Sequence, residues 1–174
     1  MNVLTLLRPE YLRQPPVWFY GRILVGAGPM LTPSFVQKYK ITHVINCAMP
    51  EDSPVWFRRQ ASVAPMAPSR YECLGAQDQL DVNILSWYPR FEEILCRMLR
   101  EPGSQTIFVH CQCGINRSAF LTLTYITKNY GLPYDETFKS LKRQRPCMFT
   151  NSVFTKQTKE FVNGRVQSEK DSGF

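Results

Sequence analysis

Apolar residues recur along this chain at two spacings. Short runs are β-branched or strand-like, longer ones repeat every third or fourth position, and the two kinds take turns. Arg22-Ile23-Leu24-Val25-Gly26 reads as a short strand closed by glycine. Pro33 can open a helix carrying Phe35, Val36 and Tyr39, since proline is tolerated in a first turn whose amides lack partners. Ile41 to Cys47 is a β-branched strand. Residues 48–69, rich in Pro, Ser and Ala, read as loop with one helical turn near Val55-Trp56-Phe57. Tyr71 to Leu74 is another short strand. Trp87, Phe91, Ile94, Leu95, Met98 and Leu99 form one stripe on a helix that Glu101-Pro102-Gly103-Ser104 ends. Thr106 to His110 is the next strand. The helix after it, starting near Ser118 and carrying Phe120, Leu121, Leu123, Tyr125 and Ile126, is apolar nearly all round and belongs at the centre. Helices from about Pro133 to Arg145 and from Asn151 follow. Asn151 suits an N-cap, and Phe154, Phe161 and Val162 face inward.

Strands alternating with helices predict an α/β fold: a central, mostly parallel sheet flanked by helices. The pattern divides the chain into an N-terminal extension (1–20), one domain (21–164) and a frayed tail (165–174). Pro9, Pro15 and Pro16 break any long helix in the extension. Leu4, Leu6 and Leu7 there suit a short turn that packs on the domain or, in a homodimer, on a second copy.

Composition narrows the class. With 174 residues, 44% hydrophobic and 13% aromatic, the chain can bury one real core and is not disordered. No apolar run approaches the roughly 20 residues of a membrane span. Met1 to Pro9 lacks the basic start of a signal peptide and the glycine for myristoylation, and Lys170 to Phe174 is no prenylation box. The expected location is therefore intracellular, cytoplasmic or nuclear. Cys47 and Cys73 sit in strand-like runs, where buried free thiols are ordinary. Cys111 and Cys113 are too close for an easy disulfide, and Cys-x-Cys without a second cluster lacks zinc spacing. No metal or cofactor is expected, and a reducing compartment fits. The net charge of +7 suits anionic partners such as phosphoproteins, nucleic acid or lipid head groups, without choosing among them. Its densest cluster, Lys139, Lys142, Arg143 and Arg145, reads as a solvated helix face.

The chemistry gathers in Val109-His110-Cys111-Gln112-Cys113-Gly114-Ile115-Asn116-Arg117-Ser118. A loop between a strand and a helix aims amides and the helix's positive end at one spot, which suits a phosphate. Gln112, Cys113, Gly114, Ile115, Asn116 and Arg117 are the candidate binding residues. Arg117 closes the loop with a planar fork matched to two phosphate oxygens. Gly114 lets the loop curl. Cys111 lies in the same positive field, which favours a thiolate nucleophile. His110 precedes it in an extended strand and so points to the opposite face, as a brace rather than a base. A leaving group needs a proton, and an Asp on a separate loop is the natural donor; Asp78 and Asp81 both follow the strand at 71–74. Ser118 can offer its hydroxyl to the cysteine sulfur.

At these residues the chain resembles the cysteine-dependent protein tyrosine phosphatase superfamily, and more narrowly the small dual-specificity phosphatases, cellular or viral, over about residues 20–163. The resemblance rests on Cys111 to Ser118, Ile23 to Gly26, Ile41 to Asn46, Trp87-Tyr88-Pro89, Asn151 with Phe154, and Asp78 with Asn83-Ile84. In that family the acid stands five residues before an Asn followed by an aliphatic residue, which selects Asp78 over Asp81. The resemblance implies a protein tyrosine phosphatase-like fold and metal-free hydrolysis through a phosphocysteine. Cys111 would act as nucleophile, Asp78 as acid and then base, Arg117 as oxyanion clamp, and Ser118 would ease the thiolate's departure. The implied substrate is a phosphorylated protein carrying phosphotyrosine or phosphoserine/phosphothreonine, met in a shallow pocket. If the chain is viral, a virion is a further location. Thr150 replaces the proline usual before Asn151, and Cys113 is less common inside the loop.

Two other readings stay open at this point. An RNA 5′-triphosphatase on the same fold would suit the basic charge. A non-catalytic phospho-binding module would be expected to have lost the nucleophile, arginine or acid, and all three are present. A phosphoinositide phosphatase is disfavoured, since the loop carries no lysine for extra phosphates.

Overall fold

The computed structural model describes residues 8–61 and 70–171. The chain passes through a one-turn helix α1 (Glu10–Arg13), strands β1 (Val17–Tyr20) and β2 (Ile23–Ala27), helix α2 (Pro33–Tyr39), β3 (Ile41–Asn46), α3 (Val55–Ala61) and β4 (Tyr71–Cys73). It continues through α4 (Tyr88–Arg100), β5 (Thr106–Cys111), α5 (Arg117–Asn129), α6 (Tyr134–Gln144) and α7 (Ser152–Asp171). The strands form one sheet in the order β1-β2-β5-β3-β4, parallel except for the β1–β2 hairpin. The expected α/β architecture, with helices on both faces, is what forms.

β5 is the centre of the sheet. It pairs with β2 from Ile23↔Ile107 to Ala27↔Cys111, and with β3 through Val44↔Phe108 and Asn46↔His110. All six of its residues are buried, which is why Ile107, Phe108 and Val109 follow one another with no polar residue between them. Its alternate residues feed two cores. Ile107, Val109 and Cys111 join Phe91, Phe120, Leu141 and Phe154 on the side covered by α4 to α7. Phe108 joins Leu24, Leu31, Val44 and Phe57 on the smaller side, under Phe35 and Trp56. The all-round apolar pattern of α5 has its cause here: every residue from Ser118 to Thr127 is buried.

Local chemistry sets several boundaries. Thr32 Oγ1 accepts the Phe35 amide at 3.2 Å and caps α2. Asn151 Oδ1 accepts the amides of Val153 (3.1 Å) and Phe154 (3.2 Å) and caps α7.

The structure departs from the sequence pattern in four places. Val17–Tyr20, inside the expected N-terminal extension, is the sheet's edge strand, with Val17 and Phe19 buried and Trp18 and Tyr20 outward. The turn expected near Trp56 is a seven-residue helix. α7 runs to Asp171, past residue 164. Arg145 is not on a solvated face: it is fully buried at the end of α6. Its guanidinium reaches five carbonyls, of Tyr11 (2.7 Å), Gln14 (2.6 Å), Pro15 (3.3 Å), Cys113 (2.9 Å) and Gly114 (3.3 Å), which replace the water it gives up. The dimer contact suggested for Leu4, Leu6 and Leu7 lies outside the described residues. Among the described residues no helix is long and apolar enough to cross a membrane.

Candidate active site

The loop from Cys111 to Arg117 joins the carboxyl end of β5 to the first turn of α5. Its tight path depends on Gly114. That residue has φ +65°, and a Cβ there would lie 2.4 Å from the carbonyl carbon of Gly26. The loop can press this closely on β2 only because no side chain intervenes.

The loop's carbonyls are tied outward. Arg145 holds those of Cys113 and Gly114, and the Phe149 amide donates to Ile115 O at 2.9 Å. In a trans peptide the N–H points opposite to the C=O. Pulling these carbonyls to the rear therefore turns the following amides inward. The Gly114 amide shows the result: it donates to Cys111 Sγ at 3.2 Å. Ser118 Oγ lies 3.3 Å from the same sulfur. Arg117 Nη1 donates to Ala76 O at 3.2 Å, while its Nε is buried and has no hydrogen-bond partner among the described residues. A buried donor of that kind is costly unless an acceptor reaches it, and an anion in the loop would supply one.

His110 sits behind the loop. Its Nδ1–H donates to Cys111 O at 3.0 Å, so its Nε2 is free to accept from Ser53 Oγ, also at 3.0 Å. Ser53 is held in turn by Tyr71 Oη (3.0 Å) and Asn46 Nδ2 (3.3 Å). The ring stacks near Phe108, at 5.6 Å between centroids, on the face opposite the Cys111 side chain. Full burial pushes its pKa down to about 4, so the imidazole is neutral at physiological pH. Burial also raises the thiol pKa of Cys113, with the nearby Cys111 adding to it.

Asp78 arrives from the loop after β4. Its Oδ1 accepts from Asn151 Nδ2 and its Oδ2 from Asn116 Nδ2, each at 3.0 Å. Asn116 Oδ1 accepts the amides of Thr150 (2.9 Å) and Asn151 (3.0 Å). One amide side chain thus joins the phosphate loop, the loop carrying Asp78, and the entry to α7. The Asn116 side chain is fully engaged there, so what it offers an anion is its backbone. Gln112 is exposed, and Cys113 and Ile115 are half-buried. Asp81 is exposed and takes no part in this network.

Sequence reasoning missed the grip on Asp78 and the Arg145 brace. Asn151 signalled an N-cap, which its Oδ1 is, and stood among the residues that carry the resemblance; the second use of its amide depends on a fold contact. Among the described residues no group of three or more His, Cys, Asp or Glu side chains could hold a metal ion. The arrangement sets a thiol, a guanidinium with an unpaired donor, inward amides and a hydroxyl around one space, with a carboxylate on a second loop. It can bind a tetrahedral oxyanion and attack it.

Residues 23–163 match the model of the dual specificity phosphatase catalytic domain, and the chain belongs to that family. A probable dual specificity protein phosphatase of Dictyostelium discoideum is 24% identical over 137 residues, which cover 79% of this chain and 32% of that protein. The serine/threonine/tyrosine-interacting protein of Homo sapiens is 28% identical over 131 residues, covering 72% and 53%. The chain thus spans between about a third and a half of the length of these curated relatives. Among solved structures, a mouse putative dual specificity phosphatase complexed with zinc tungstate superposes with TM-score 0.71 at 18% identity, covering 94% of this chain and 93% of that one. The human tyrosine phosphatase-like serine/threonine/tyrosine-interacting protein gives 0.68 at 23% identity, covering 87% and 97%. The likeness to these structures is one of fold.

Proposed function

We propose that this protein is a dual-specificity protein phosphatase that hydrolyses phosphotyrosine and phosphoserine/phosphothreonine through a phosphocysteine. The observation that carries the reading is the setting of Cys111 Sγ, which accepts an inward loop amide at 3.2 Å with the Ser118 hydroxyl at 3.3 Å.

In the first step the thiolate of Cys111 attacks phosphorus, and the bond to the substrate oxygen breaks. Asp78, protonated at that moment, delivers its proton to the departing oxygen. The loop amides and the Arg117 fork hold the three equatorial oxygens, with the unpartnered Nε among the donors. In the second step Asp78 takes a proton from water as the water attacks the phosphocysteine. Ser118 then donates its hydroxyl hydrogen bond to the sulfur as it leaves as thiolate. The two asparagines hold both oxygens of Asp78 and fix its direction, while each oxygen keeps a lone pair for the proton.

A side-by-side assay of a phosphotyrosine peptide, a phosphothreonine peptide and triphosphate-ended RNA tests the reading. The expected result is release of phosphate from both peptides and loss of turnover in Cys111→Ser. Release of γ-phosphate from the RNA alone would overturn it. Asp78→Ala is expected to lower kcat by about 10²-fold or more while substrate binding persists. A larger loss in Asp81→Ala would assign the acid to the wrong residue.

A further inference from the structure

A groove of about 730 Å³ runs between the segment entering β1 and helix α2, behind the phosphate loop. Its floor is apolar, formed by Leu12, Pro15, Pro16, Met30, Phe35 and Tyr39. Among the described residues three cations, Arg8, Arg13 and Lys38, line it, and no Asp or Glu does. Among the described residues none of the three pairs with a carboxylate; Lys38 Nζ lies 5.2 Å over the Tyr39 ring. Trp18, 44% exposed and edge-on to Tyr39 at 6.1 Å, extends the apolar surface beyond α2.

Little separates this groove from the loop. A Cβ on Gly26 would stand 2.8 Å from Met30 Sδ and 3.3 Å from Pro16 Cβ, while Gly114 presses on the Gly26 carbonyl. Arg145 binds carbonyls of both structures, Gln14 and Pro15 on the groove side and Cys113 and Gly114 on the loop side.

We propose that this groove binds an acidic segment of the phosphoprotein substrate, with one apolar side chain on its floor and carboxylates facing Arg8, Arg13 and Lys38. The inference rests on the phosphatase reading and adds the substrate class that the surface prefers. Charge complementarity selects an anionic occupant. The floor selects a peptide over single-stranded nucleic acid: Leu12, Met30 and the prolines suit a side chain. The rings of Phe35 and Tyr39 stand at 52° to each other and offer no pair of parallel faces for stacked bases.

Two phosphopeptides with the same phosphosite, one flanked by Asp and Glu and one with Asn and Gln in their place, test it. Arg13→Glu/Lys38→Glu is expected to raise KM for the acidic peptide about tenfold while kcat stays level. The neutral peptide and a small aryl phosphate are expected to be turned over as before. An unchanged KM for the acidic peptide, or an equal change for both peptides, overturns the proposal. Should the reversed pair not fold, Arg13→Gln/Lys38→Gln is read the same way, with about a threefold rise expected. Independently of turnover, fluorescence anisotropy should show an unphosphorylated acidic peptide binding the wild-type protein and weakening as salt rises. No binding, or tighter binding by single-stranded RNA, sinks the proposal. If peptide binds but no phosphomonoester is hydrolysed, the catalytic reading fails and the groove stands.

Discussion

Asn116 uses one amide group for two tasks. Its oxygen anchors the entry to α7 through two backbone amides, and its nitrogen aims Asp78. Asn116→Ala should lower kcat about tenfold with little change in KM, because Asp78, the proposed acid, is still present but no longer aimed. His110 gives a pH prediction with a definite sign. Its folded pKa lies near 4, against 6.5 for the free side chain. Above pH 6.5 both folded and unfolded chains hold it neutral. As pH falls from 6.5 towards 4, only the unfolded chain gains the proton, so stability is lost across that window, by up to about 3 kcal/mol. Denaturant melts of wild type and His110→Gln across this range should show the steeper loss in wild type. Phe149 is a third case. It holds φ +64° while stacking at 4.6 Å on Phe138 and at 5.0 Å, edge-on, against Phe120. A non-glycine residue accepts that backbone only when packing outweighs the strain. Phe149→Gly should therefore destabilise the fold, by about 2–4 kcal/mol, although it relieves the backbone.

At the scale of elements, each support of the site does structural work as well. Asn151 caps α7 with its oxygen and holds Asp78 with its nitrogen. Asn151→Ala should cost about 1 kcal/mol of stability, the usual worth of a cap, and lower kcat besides. Asn151→Asp keeps the capping oxygen but sets a carboxylate against Asp78, so it should retain most stability and still lose activity. Melting curves alongside steady-state kinetics separate the two effects. The central elements were legible because their patterns are local. The stripe from Trp87 to Leu99 gives α4, and the run from Thr106 is β5. Cys-x5-Arg, set between that strand and a uniformly apolar helix, located the loop. β1 was not legible, because a four-residue edge strand with two outward aromatics behind two prolines shows no sustained period. Arg145 was misread because its position among helical cations is a local signal, whereas its acceptors at Tyr11 and Gln14 lie 134 and 131 residues away.

For the molecule as a whole, Arg145 fastens the segment before β1 to the back of the phosphate loop. Deleting residues up to Pro16 takes away three of its five carbonyl acceptors and leaves a buried cation under-satisfied. The midpoint of thermal unfolding should fall by about 5–10 °C, a loss of about 2–3 kcal/mol for a chain of this size. The central position of β5 has a consequence for how the protein comes into being. The strand leading to Cys111 can pair only with residues synthesised some 60–85 positions earlier, and the loop it ends in is then braced by Arg145 and Asn151, synthesised later. Contacts so distant along the chain form late and slow folding. A nascent or partly folded chain therefore carries the thiol without a competent pocket around it. Activity and global structure should disappear at the same urea concentration, and refolding chains should recover catalysis only in their last kinetic phase.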